Sequence, residues 1–128
     1  MTWNGNVKGD TMEMVLYQYK AKVMSVYDGD TIRVDIDLGL KTWIKNESIR
    51  LNRINAPEVR GGEKVKGLKS RDYLRKLILK KEVIIKTIKD KKGKYGRYLG
   101  EIWIEKNGQW ININDLLVTK GYAVYKEY

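Results

Sequence analysis

The stretch Asp28-Gly-Asp-Thr-Ile-Arg-Val-Asp-Ile-Asp-Leu38 leaves a turn and runs into the clearest strand of the chain. Ile32, Val34, Ile36 and Leu38 alternate with Thr31, Arg33, Asp35 and Asp37, setting an apolar face against a polar one. Asp28-Gly-Asp30 reads as a hairpin-type turn whose glycine supplies a positive φ. On the upstream arm, Tyr17, Tyr19, Ala21, Val23 and Ser25 alternate with Gln18, Lys20, Lys22 and Met24, a half-buried strand. Downstream, a loop with Gly39, Trp43 and Asn46 leads to a short strand through Ile49 and Leu51. Arg50 lies between those two and faces away from whatever they bury. Pro57 fixes its own φ and holds Ala56 extended, so Asn55-Ala-Pro-Glu58 leaves that strand as a turn.

Beyond Gly61-Gly62 the period changes. Ser70, Tyr73, Leu74, Leu77 and Ile78 recur at helical spacing and predict a helix of about four turns that ends near Lys81. Val83 to Ile88 is rich in β-formers, and Lys89 to Lys94 reads as a basic loop. Leu99 to Ile104 predicts another strand, turning at Asn107-Gly108 into Gln109 to Ile111. Asn112 caps a short helix over Leu116 and Leu117, with Asp115 at the capping-box position and Gly121 as its stop. Strands first, a long helix before the later strands and a closing helix predict an α+β, mostly β domain. The pattern fits a five-stranded Greek-key barrel of OB type with two to three helices. Residues 1–14 show no period and read as a flexible leader, with residues 15–128 as the domain.

Composition narrows the chemistry. The 128 residues hold no cysteine and no histidine, which excludes disulfides, thiolate sites, imidazole bases and His-ligated zinc. Any catalysis must run on carboxylates, Lys, Arg, Tyr or a bound ion. Lys and Arg outnumber Asp and Glu by 26 to 16, a net charge of +10 that favours a polyanionic partner. No apolar run is long enough to cross a membrane. Met1 to Met14 carries no export signal, which is compatible with the cytoplasm and leaves the compartment unknown. A monomer is expected.

Two motifs then stand out: Asp28-Gly-Asp-Thr31 and Arg50-Leu-Asn-Arg-Ile-Asn-Ala-Pro-Glu58. Carboxylates can hold a hard cation by oxygen, an arginine can clamp phosphate with its planar fork, and a glutamate can deprotonate water. A third motif, Lys94-Tyr-Gly-Arg97, places another arginine on a glycine turn.

In this order and spacing the three motifs resemble the staphylococcal-nuclease-like (thermonuclease) family from about Lys20 onward. The resemblance implies the OB barrel and a Ca²⁺-dependent nuclease that cuts DNA and RNA, single strands first. It implies Asp30 as a metal ligand, the position of Asn55 as a second, and Ala56 as a third through its backbone carbonyl. Asn55 departs from the pattern, since the family usually carries an aspartate there; an amide oxygen replaces a full charge. Asp28 is given to the turn or to supporting the site, and Thr31 to hydrogen bonding within it. Glu58 matches the catalytic glutamate, and Arg50 and Arg97 the phosphate-clamping pair. Lys94 and Tyr95 match positions that touch the nucleotide, and Tyr125 and Tyr128 could stack on bases. The alternative reading is a catalytically silent OB module that binds nucleic acid, with Asn55 marking a degenerate metal site.

Overall fold

A computed structural model describes residues 15–92 and 96–127. The leader and the expectations for Lys94, Tyr95 and Tyr128 therefore lie outside the described residues. In chain order the elements are β1 (Gln18–Asp28), β2 (Thr31–Gly39), β3 (Thr42–Leu51), β4 (Ile54–Asn55), a 3₁₀ turn (Gly61–Glu63) and α1 (Lys64–Ile78). β5 (Glu82–Lys92), β6 (Tyr98–Lys106), β7 (Gln109–Asn112), α2 (Ile113–Thr119) and β8 (Val124–Tyr125) complete the described chain.

β1 pairs antiparallel with β2 and β5, β2 with β3, and β5 with β6. A parallel pairing of β3 with β6 then closes the ring, with Ile49, Arg50 and Leu51 opposite Tyr98, Leu99 and Gly100. The result is the five-stranded closed barrel expected from the pattern together with the family resemblance; β7 extends β6 as a hairpin, and β4 pairs with β8 outside the ring. Val23, Ile32, Val34, Ile49, Leu51, Ile85 and Ile102 fill the interior, and Leu74 and Ile78 of α1 join the same core. Gly100 admits that packing, because a Cβ there would stand 2.9 Å from Ile49 Cγ2.

Several local expectations are corrected. Met24 is the extra residue of a bulge in β1, so Val26 takes the inward place and Ser25 is exposed. Leu38 is also exposed, at a register irregularity of β2 where Asp37 pairs with Trp43 and Gly39 with Thr42. Trp43 and Asn46 sit in β3 rather than in a loop. The chain turns tightly at Leu40-Lys41, both in the left-handed region at φ 53° and 64°, a conformation that sequence rules reserve for Gly or Asn. Asn46 adopts φ 55° at a second irregularity, its N–H bonded to Asp35. The long helix stops at Ile78, three residues early. Lys80 turns left-handed (φ 62°), and the backbones of Lys80 and Lys81 bond to Val23 of β1. β5 runs on through Lys92, into the segment expected to be loop. The helix cap is as expected, with Asp115 N–H donating to Asn112 Oδ1 at 2.9 Å and Gly121 at φ 82° after α2.

Candidate active site

The predicted residues converge where β1 turns into β2 and where β3 leaves the barrel. Asp28 Oδ1 accepts the Asp30 N–H at 3.0 Å, an Asx turn that fixes the direction of the Asp30 side chain. The expectation for Gly29 fails in an instructive way. It is not in the left-handed region; a Cβ there would stand 2.7 Å from Ala56 Cβ and 2.8 Å from Ser70 Cβ. The glycine is needed for close approach, with the turn, the Asn55–Glu58 segment and α1 meeting at one point.

Strand register supplies the arginine. Thr31 on β2 is paired with Arg50 on β3, so Arg50 stands beside the carboxylate that precedes Thr31. Arg50 does face away from the core residues that flank it, yet it is only 7% exposed. Its Nη2 lies 3.1 Å from Asp30 Oδ2 and 3.3 Å from Asn55 Oδ1, while Nη1 donates to the carbonyls of Leu51 and Ile54. Asp30 Oδ2 also accepts the Ala56 N–H at 2.7 Å. The remaining oxygen, Oδ1, takes the Thr31 hydroxyl, and Thr31 Oγ1 in turn accepts Arg97 Nη1 at 3.1 Å. One hydrogen-bonded chain thus runs from Arg97 through Thr31 and Asp30 to Arg50 and Asn55.

Asp28, Asp30, Arg50, Asn55, Glu58 and Arg97 all line one open cleft of about 700 Å³. Glu58 is exposed in it, whereas Asp28 and Asp30 are buried. Burial, reinforced by the side chain and charge of Asp30, pushes the Asp28 carboxyl up to about 7; the Asp30 N–H and the Arg50 charge oppose the shift. α1 holds Glu58 in place through Gly67, where a Cβ would overlap the Glu58 carbonyl oxygen and stand 2.9 Å from that of Pro57. Tyr125 lies apart: it lines a neighbouring groove with Asn52 and Arg53, and its hydroxyl donates to Asp115 at 2.9 Å. Lys126 borders both hollows. The oxygen-only donors of the cleft suit a hard cation and not a soft one. Among the described residues, however, no three acidic side chains gather at one point.

The profile of the staphylococcal nuclease homologue family matches residues 48–128. The chain belongs to that family. An uncharacterized protein of Methanocaldococcus jannaschii is 34% identical over 126 residues, taking in 82% of this chain and 58% of that protein. The thermonuclease of Staphylococcus hyicus is 31% identical over 110 residues, taking in 84% of this chain and 59% of that protein. The chain therefore spans somewhat under three fifths of the length of these curated relatives. The family match takes in Arg50, Asn55, Glu58 and Arg97, while Asp28, the last residue of β1, and Asp30, in the turn before β2, lie upstream of it.

Sequence reasoning missed three side chains of the cleft, those of Tyr27, Arg60 and Lys126. All three stand beside predicted residues, Tyr27 next to Asp28, Lys126 next to Tyr125 and Arg60 two places beyond Glu58. Position was thus the only signal available. It also missed Asn114, fully buried, which takes the Ile102 N–H and donates to the carbonyls of Asn52 and Gly100. That side chain ties α2 to the barrel strand that follows Arg97.

Proposed function

We propose that this chain is a Ca²⁺-dependent nuclease that hydrolyses phosphodiester bonds of DNA and RNA, with single strands preferred. The observation that carries the reading is the exposed Glu58 in a cleft it shares with Arg50, Arg97 and Asp30. Glu58 takes a proton from the attacking water, a role open to a carboxylate that solvent reaches and a backbone contact holds still. The two arginines neutralise the phosphoryl oxygens, Arg50 from a buried position and Arg97 from a half-buried one. Asp30, the Asn55 amide oxygen and the Ala56 carbonyl would hold the cation. When bound, it supplies Lewis-acid polarisation of the phosphoryl group.

A second reading, a silent nucleic-acid-binding barrel, draws on two observations. The acidic donors are few, and both Nη atoms of Arg50 are turned to protein oxygens. One assay separates the two. Denatured DNA incubated with the protein and Ca²⁺ should be cut, cutting should cease with a chelator, and Glu58→Gln should lower kcat by about 10²-fold or more with the fold retained. DNA left intact at millimolar Ca²⁺ but retarded on a gel would establish the binding module instead.

A further inference from the structure

The cleft holds more than a single phosphate needs. Tyr27 is the extra residue of a second β1 bulge, where Val26 pairs with Ile32 and Asp28 with Thr31 while Tyr27 has no opposite number. Bulges re-aim side chains, and this one turns a tyrosine ring outward between two buried neighbours, leaving it 51% exposed. Across the cleft, Arg60 extends from the backbone (φ −143°, ψ 169°) just before the 3₁₀ turn. Its Nη2 donates to the Tyr27 hydroxyl at 2.7 Å.

The nature of that partner matters. Arg50 is paired with Asp30, Arg53 with Glu101 and Asp115, and Arg71 with Asp72, so carboxylates offset those charges. Among the described residues no carboxylate is in ion-pair contact with Arg60, and Glu58 acts on it only through its charge at longer range. The neutral phenol steadies the guanidinium without cancelling its charge, and both groups open onto the cleft that contains Glu58 and Arg97. A steadied cation beside an exposed ring suits one nucleotide unit: the charge takes a phosphate and the ring takes a base.

We infer that Tyr27 and Arg60 form a second nucleotide subsite, which grips the phosphate and base flanking the bond to be cut. The inference rests on the nucleic-acid reading of the cleft. It makes the enzyme select for chain length: a mononucleotide fills only the inner site, and an oligonucleotide fills both.

The test uses the Glu58→Gln protein, so that binding is measured without cleavage, by fluorescence anisotropy with labelled oligothymidylate and by competition with thymidine 5′-monophosphate. Adding Arg60→Ala should weaken the oligonucleotide about tenfold, equivalent to about 1.4 kcal/mol, and leave the mononucleotide unchanged. It should also reduce the slope of log affinity against log salt by about 0.7, the loss of one phosphate contact on a single strand. Arg60→Lys should restore the salt slope, and Tyr27→Ala should weaken the oligonucleotide without altering that slope. Equal loss for both ligands, or no loss for either, overturns the subsite. A parent protein that binds neither ligand overturns the cleft reading itself and the subsite with it.

Discussion

At the scale of single residues, Asn55 carries the most chemical weight. Its Oδ1 shares Arg50 Nη2 with Asp30, so one side-chain oxygen lies at the edge of the acidic corner with no charge of its own. Asn55→Asp should tighten Ca²⁺ by roughly tenfold, because ligand charge count sets the affinity of such sites. Calorimetry giving the same Ca²⁺ affinity for both proteins would remove position 55 from the ligand set. Asp115 offers a separate test through pH. Its hydrogen bond from Arg53 holds the carboxyl below its ordinary value of 3.8, against a smaller opposing effect of burial. A depressed folded pKa stabilises the protein above the unfolded value and ceases to do so as pH falls through the folded one. Asp115→Asn should therefore lower the unfolding midpoint at pH 7, with the gap closing in the strongly acid range. A gap independent of pH would mean that the ion pair with Arg53 is not its source. Residue types were legible in the sequence, since the acid, amide and arginine positions could be named from three motifs. Their partners were not: that Arg50 is turned toward four protein oxygens depends on register between strands, which no motif records.

The elements explain why glycines were the least legible residues. Glycine in a turn suggests a positive φ, and at Asn107-Gly108 this reading succeeds, with φ of 54° and 78°. At Gly29 it fails because the demand comes from Ala56 and from Ser70 of α1, both distant in sequence. Gly67, which a helical pattern merely tolerates, is the contact of α1 with the Glu58 backbone. Gly67→Ala sets two effects against each other. Alanine favours the helix by about 1 kcal/mol, while the added methyl group meets a backbone carbonyl that has no rotamer to yield. We expect the overlap to prevail, with a net loss of about 1–3 kcal/mol and a fall in kcat of about 10²-fold as Glu58 shifts. Full activity in a stable Gly67→Ala protein would show that the glutamate needs no such support. The β2–β3 turn was illegible for the converse reason. Leu40 and Lys41 hold left-handed backbone without the residues that advertise it.

For the molecule as a whole, a net charge of +10 couples function to salt. Affinity for single strands should fall with a log–log slope of about −0.7 per phosphate neutralised, and a flat dependence would deny the surface any role in binding. The strands were legible because alternation survives in most of them, and the ring they close because the motifs resemble a known family. The bulges at Met24 and Tyr27 were not, because an extra residue leaves no mark in composition. The parallel seam between β3 and β6 has one more consequence. Arg97 reaches Thr31 across 66 residues of chain, and Arg50 is opposite Leu99 only after β6 has docked. A ribosome completes Asp30, Arg50 and Glu58 well before it reaches Arg97, so a growing chain carries the acids and one clamp but not the closed cleft. Under the proposed activity, the polypeptide becomes competent only once Arg97 has joined the acids and the ring has shut.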